Sequence, residues 1–167
     1  RQLAKAMNFG LIYGMGGETL AHHAKTSFGV ELTKQESLKM RKHFFALYTG
    51  IRTWHQIQGT RSETKTVFGR KRIFPRQGRF TEKLNSPVQG SSADGLKLAL
   101  ALLWERRDEC PGAFPVLTVH DEIVIEAPGD RAEEAKEWLV QCMTDGMSQV
   151  LKEVPVVVEA EVNNTWG

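Results

Sequence analysis

The sequence predicts an α+β protein, in which a helical first half is followed by an antiparallel sheet with packing helices. Three observations carry this reading. Apolar residues recur at three- and four-residue intervals up to Ile57. Two β-branched and aromatic runs, 65–75 and 114–126, each bend about a short polar turn. Long helical patterns begin at Asn85 and at Asp130. In the order helices, hairpin, long helix, hairpin, helix, strand, neighbouring strands pair in antiparallel fashion.

The first segment, Arg1 to Gly14, reads as one helix with two chemically different sides. At about 100° per residue, Arg1, Lys5, Phe9 and Tyr13 form a slowly winding stripe, cationic at one end and aromatic at the other, opposite Leu3, Met7 and Leu11. The apolar side suits a core, and the other offers fixed charges for phosphates and rings for stacking on a base or sugar. Spacing alone also fits an ordinary amphipathic helix. Gly14, Gly16 and Gly17 end it. A short helix follows from Glu18 to Phe28, with Gly29 as its stop. Its adjacent His22 and His23 point about 100° apart and have no partner at metal-ligand spacing, so they read as solvated side chains. Thr33 and Glu36 form a capping box. The helix it opens carries Leu38, Met40, Phe44, Phe45, Leu47 and Tyr48 and ends before Gly50, and Ile51, Trp54 and Ile57 continue the helical pattern.

Lys65 to Pro75 reads as a small basic hairpin or loop turning at Gly69. Its Arg70-Lys71-Arg72 run suits a sugar-phosphate backbone, although a solvated surface turn has the same composition. At Asn85 to Asp94 a helix start is signalled by Ser86 as N-cap, Pro87 in the first turn and Gln89 three residues after the cap. Val88, Ser92, Leu96, Ala99 and Leu103 extend it, and Gly90 with Ser91 and Ser92 lets another backbone approach closely. Phe114 to Glu126 reads as two strands meeting at a tight corner that presents Asp121 to solvent. By itself, His120-Asp121-Glu122 reads as a plain polar turn, a metal-binding corner being the other reading its carboxylates allow. Asp130 is the expected cap of a scaffold helix through Ala135, Trp138, Leu139 and Cys142, with Glu133, Glu134 and Glu137 on its polar face. Val156, Val158, Ala160 and Val162 alternate with Val157, Glu159 and Glu161, which predicts a last strand joining the sheet that carries Asp121.

With 167 residues, 41% hydrophobic and 25% charged, the chain is sized for one domain or two lobes, and nothing in its composition predicts disorder. It has no apolar run of membrane length and no signal peptide. Its only cysteines, Cys110 and Cys142, imply no disulfide framework, so a reducing, cytoplasmic location is expected. The net charge of +2 hides a division: residues 1–83 hold 16 Lys or Arg against 5 Asp or Glu (+11), and residues 84–167 hold 6 against 15 (−9). Such asymmetry suits a polyanion-binding half, mutual neutralisation of the halves being the other reading. The chain starts at Arg1 without an initiator Met, inside its most informative helix, and is expected to be a piece of a longer protein.

Three ordered motifs and one shorter string resemble family A DNA polymerases, those related to bacterial DNA polymerase I. R-x-x-x-K-x-x-x-F-x-x-x-Y-G, from Arg1 to Gly14 with Asn8-Phe9-Gly10 intact, resembles the family's nucleotide-binding helix, motif B. N-x-P-V-Q-G-[ST]-x-A-D, from Asn85 to Asp94, resembles the segment whose Asn and Gln contact primer and template in the minor groove, where base acceptors of all correct pairs lie in similar places. Val119-His120-Asp121-Glu122-Ile123 resembles motif C, and Phe68-Gly69-Arg70-Lys71-Arg72 resembles the string after the family's fingers helices.

The resemblance implies a fingers subdomain over 1–84 and the C-terminal part of the palm over 85–167. It implies nucleotide-binding roles for Arg1, Lys5, Phe9 and Tyr13: Arg1 and Lys5 on the triphosphate, Phe9 on sugar and base, and Tyr13 guarding the templating position. Lys5 is also implied to be catalytic, as proton donor to pyrophosphate. DNA-binding roles fall on Asn85, Gln89, His120 (at the primer end), Arg70 and Arg72. Asp121 and Glu122 become catalytic residues and metal ligands. Segments between Trp54 and Asn85 are shorter than in bacterial polymerase I, so Arg76, Arg79 and Lys83 receive no role.

The implied reaction is template-directed addition of dNTPs to a primer 3′ end, with two Mg²⁺ ions completed by a carboxylate outside this chain. The family's second aspartate lies in a D-Y-S-x-I-E-like strand, and no such string occurs here. Asp94, Asp108, Asp130 and Asp145 stand in other contexts. The isolated piece is therefore expected to be inactive and to expose apolar sheet surface. Primer-template DNA, dNTP and the remainder of the polymerase (thumb and rest of the palm) are the implied partners, with no membrane. The alternatives are a single-subunit RNA polymerase-like enzyme, against which Asn8-Phe9-Gly10 and the Asn85–Asp94 string argue, and a non-catalytic basic DNA-binding module, which would not need Asp121.

Overall fold

A computed structural model describes residues 2–75 and 78–166. Two compact units divide the chain: Arg1–Lys65 with Lys71–Val88, and Thr66–Arg70 with Gln89–Gly167. The architecture is α+β, with two small antiparallel sheets among the helices.

In the first unit, α1 (Gln2–Ile12), α2 (Gly17–Phe28), α3 (Lys34–Leu47) and α4 (Thr49–Thr60) surround a core of Leu11, Leu20 and Phe44, with Met7, Ile12, Phe45 and Ile51 against it. Each such buried side chain contributes about 1.5–3 kcal/mol of transfer free energy. The apolar stripe of the first helix is thus inward at Leu11, and a Cβ at Gly10 would fall 2.9 Å from Leu20 Cδ1, so this glycine sets how closely α1 meets α2. Gly29, in the left-handed region at φ 65°, closes α2. Thr33 Oγ1 accepts from the Glu36 amide at 3.2 Å while Glu36 takes the Thr33 amide at 2.8 Å, completing the capping box. Tyr48, outside helical geometry at ψ 67°, breaks the helical pattern into α3 and α4.

The basic hairpin forms from β1 (Glu63–Lys65) and β2 (Lys71–Ile73), and Thr64 lies opposite Arg72. Its strands belong to the first unit and its tip, 66–70, to the second. The helix expected to start at Asn85 starts five residues earlier: α5 runs Phe80–Glu105 with Pro87 inside it. Ser86 is therefore not an N-cap; its Oγ instead accepts from Arg72 Nη1 at 3.1 Å. Proline in a helix interior removes one backbone hydrogen bond, and the flanking Lys83 and Leu84, both buried, supply the packing that keeps the helix continuous.

In the second unit, α5 and α6 (Ala132–Ser148) pack with the hairpin of β3 (Phe114–Val119) and β4 (Glu122–Glu126) around Ala99, Leu103, Cys110, Ile123, Trp138 and Cys142. Small residues allow the two helices to touch: a Cβ at Gly146 would lie 2.6 Å from the Ala99 nitrogen. Arg106 and Asp145 pair at 2.6 Å, and Trp138 Nε1 donates to the Arg106 carbonyl at 3.1 Å. Both cysteines are free and buried, and burial raises the Cys142 thiol above its usual range.

Two expectations fail here. Asp130 does not cap α6, because a 3-10 turn over Gly129–Arg131 intervenes and the capping position passes to Arg131, which bonds Glu134 and the Pro111 carbonyl instead. The alternating segment 156–162 forms no strand. It has no regular structure and no ladder partner among the described residues, and the pairing that alternation suits needs a free strand edge at the right height. Among the described residues no helix is long and apolar enough to cross a membrane.

Candidate functional site

On α1 in the first unit, Lys5, Asn8 and Phe9 are exposed, Phe9 to 52% and on the side opposite the buried Leu11. Arg1 lies outside the described residues. An exposed ring on a helix that also buries Leu11 offers a stacking surface, and Lys5, one turn before it, supplies a mobile cation.

The end of α1 is built with unusual completeness. The Gly14 amide bonds the Leu11 carbonyl at 3.1 Å and the Met15 amide bonds the Gly10 carbonyl at 2.9 Å, with Gly14 at φ 83°, which is a Schellman closure. Tyr13 is the half-buried residue at the helix boundary. The carbonyl that this closure leaves over, that of Ile12, accepts from His55 Nε2 at 2.7 Å. Because a carbonyl only accepts, Nε2 carries the proton. Phe45 and Phe80 meet the His55 ring edge-on, and Trp54 tilts against it. Burial lowers the His55 pKa from 6.5, its bond to Ile12 opposes that shift, and the nearby Arg41 charge adds to it.

Arg72 lies beside the Phe74 ring, 5.1 Å from its centre, and reaches Ser86 and Glu82. Lys83, which the sequence leaves without a role, is buried and donates to the Gly59 carbonyl at 3.0 Å. Asn85 is exposed on α5, and Arg79 is exposed just before it, while Arg76 lies outside the described residues.

In the second unit the hairpin tip docks on the Gly90–Asp94 stretch of α5. Val67 donates its amide to Ser91 Oγ at 3.0 Å. Arg70 donates through Nε to Asp94 Oδ1 at 2.8 Å and through Nη2 to the Gly90 carbonyl at 2.8 Å. A Cβ at Gly90 would fall 2.7 Å from Thr66 Cγ2, so the close approach expected of this glycine is made by the tip. Burial pushes the Asp94 carboxyl upward, but the Thr66 hydroxyl and Arg70 outweigh it and hold the pKa below its usual range. Gln89, beside this contact, is exposed.

The β3–β4 register pairs Val119 with Glu122, leaving His120 and Asp121 as a two-residue turn. His120 is the non-glycine at positive φ, 57°, among the described residues. Its side chain and those of Asp121 and Glu122 are exposed, while Ile123 turns inward and anchors the strand. Asp121 and Glu122 offer only oxygen donors, open to water. That set fits a hard cation such as Mg²⁺, which takes one or two carboxylates and keeps waters or phosphate oxygens for the rest. No group of three or more His, Cys, Asp or Glu positioned for a metal occurs among the described residues. An open depression at the end of α6, lined by residues including Gln149, Lys152 and Val156, contains none of the candidate residues.

The structure therefore brings His120, Asp121 and Glu122 together at one turn, and Arg70 beside Gln89, while Lys5 and Phe9 share α1 and Tyr13 directly follows its last residue. Sequence reading passed over His55, Lys83 and the Arg70–Asp94 pair. The first had a signal: Ile51, Trp54, His55 and Gln58 form an i, i+3, i+4, i+7 stripe on α4, which places the His on the inward face.

Residues 1–167 match the family described as DNA polymerase family A. DNA polymerase I of Aquifex aeolicus is 41% identical over 171 aligned residues, covering 99% of this chain and 30% of that protein. The thermostable DNA polymerase I of Thermus filiformis is 35% identical, covering 99% of this chain and 20% of its own length. Among solved structures, the POL domain of Pol1 from M. smegmatis, in complex with DNA primer-template and dNTP, superposes with a TM-score of 0.73. It is 26% identical, over 86% of this chain and 27% of that one.

Proposed function

Because this chain belongs to DNA polymerase family A, whose catalysis is metal-dependent, we propose that it supplies the fingers (1–84) and the C-terminal part of the palm (85–167) of a DNA-directed DNA polymerase. The chain spans less than a third of the relatives it matches, so the rest of the palm and the thumb come from elsewhere in the enzyme.

In this reading Arg1 and Lys5 balance the triphosphate charge, Phe9 stacks on the nucleotide, and Tyr13 guards the templating position. Asn85 and Gln89, four residues apart on α5, hold the primer-template by minor-groove acceptors common to all correct pairs. Arg70 and Arg72 position the sugar-phosphate backbone, and His120 holds the primer end. Asp121, with Glu122 beside it, would hold Mg²⁺. Two such ions, when bound, lower the cost of charge building on the attacking and leaving oxygens. Lys5, near the leaving phosphates, donates a proton to pyrophosphate as it departs. The second aspartate comes from outside these 167 residues, which on their own do not extend a primer.

The observation that carries the proposal is the His120–Asp121 turn, where a rigid two-stranded ladder presents adjacent carboxylates to solvent within the family's motif. The test is Asp121→Asn in the complete polymerase. Primer extension is expected to fall at least about a thousandfold while primer-template affinity changes less than about threefold, since the basic groups are untouched. A variant keeping a tenth of wild-type turnover would refute the metal-ligand role. Supplying rNTPs beside dNTPs in the wild-type assay separates DNA from RNA synthesis.

A further inference from the structure

The end of α1 holds a device that the polymerase reading does not use. Three carbonyls close the helix, and two of them, Gly10 and Leu11, are bonded by backbone amides. The third, Ile12, has its partner 43 residues along the chain in His55. On the other side of Tyr13, Gly14 is pressed against Phe80: a Cβ there would fall 2.5 Å from the ring. Phe80 also contacts His55 edge-on, with ring centres 5.5 Å apart, and packs against Gly59, whose carbonyl is held by the buried Lys83. Tyr13 thus stands between two residues whose backbones are fixed by the same cluster.

We propose that His55 is a positioning residue for Tyr13: by holding the Ile12 carbonyl within the Phe45–Phe80 cluster, it sets the angle at which Tyr13 leaves the helix and so sharpens selection of the correctly paired nucleotide. This rests on the reading of Tyr13 as guard of the templating position. The reasoning is geometric. A helix end frays unless its last carbonyls are satisfied. A residue at the helix boundary inherits that disorder directly, and a misplacement of about 1 Å in a substrate-facing group is enough to change discrimination. An apolar residue at position 55 would fill the cage and leave the Ile12 carbonyl unpaired. A glutamine keeps a donor of similar reach.

The experiment compares His55→Leu, His55→Gln and Tyr13→Ala with wild type in the complete polymerase. It reads amide hydrogen exchange over residues 10–16 and the ratio of kcat/KM for wrong and right nucleotides. His55→Leu is expected to speed exchange in that segment and raise misinsertion about fivefold, with kcat for the right nucleotide within about twofold. His55→Gln should return both to near wild type, a rescue that loss of core packing alone would not produce. If Tyr13→Ala raises misinsertion but His55→Leu alters neither exchange nor misinsertion, the positioning role falls and the reading of Tyr13 stands. Unaltered misinsertion in Tyr13→Ala would overturn the reading of Tyr13 and this inference with it.

Discussion

Arg70 and Asp94, 24 residues apart, meet at 2.8 Å, and the same guanidinium also bonds the Gly90 carbonyl. The tip of the basic hairpin is therefore fastened to α5 next to Gln89. A cation held by Asp94 keeps roughly half its surface open, so its free edge points where a phosphate can reach it while its position is set by the helix.

Removing the carboxylate should loosen that fastening. Asp94→Ala is expected to weaken primer-template binding about three- to tenfold, and Arg70→Ala by a similar factor. The double variant should lose little more than either alone, because both changes break one contact. Binding isotherms at two salt concentrations check this. Additive losses would show that the two residues act separately.

Lys5→Ala takes away an exposed cation that is paired with no acid among the described residues. KM for dNTP should rise and the single-turnover rate should fall together, by about tenfold or more each, because the charge acts on phosphates in both ground and transition states. Pre-steady-state kinetics over a range of dNTP concentration separate the two effects, and unchanged values would discard the role.

His120 occupies a left-handed backbone position where β-branched residues are strained. His120→Gly should leave the melting temperature unchanged or higher, and His120→Val should lower it by about 2–4 °C, corresponding to about 1 kcal/mol. If His120→Gly keeps the fold but slows extension, the ring itself serves the primer. Equal stability of the Gly and Val variants would remove the backbone from the account of this turn.

The buried His55 gives a pH signature. Its folded pKa lies below its unfolded value of 6.5, so between the two the unfolded chain binds more protons, and stability rises with pH in that window. The contribution is present above about pH 6.5 and is lost as pH falls through the folded pKa. Denaturant unfolding of wild type and His55→Leu at several pH values should show a smaller loss on acidification in the variant. Parallel profiles would assign the titration to other groups.

Much of this molecule could be read from residue order. The Thr33–Glu36 box, the Gly29 stop and the two-residue turn at His120–Asp121 are local devices, set by groups at most a few residues apart, and they stand where the pattern puts them. The failures involve partners distant in sequence. Ser86 and Pro87 have the chemistry of a helix start, yet the helix continues back to Phe80 because Lys83 and Leu84 are buried in packing that no local pattern encodes. Val156 to Val162 alternates like a strand, but alternation says nothing about whether an edge is there to receive it. His55 was legible only as a stripe position, because its partner Ile12 lies in another helix.

The five residues 66–70 interrupt one unit in sequence while completing the other. A cut at Val88 therefore does not yield two natural pieces: Gln89–Gly167 expressed alone would lack Thr66 and Arg70 and leave Gly90, Ser91 and Asp94 as an uncovered shelf. During synthesis the tip emerges from the ribosome before the helix segment that it settles on, so the hairpin must wait some twenty residues for its seat.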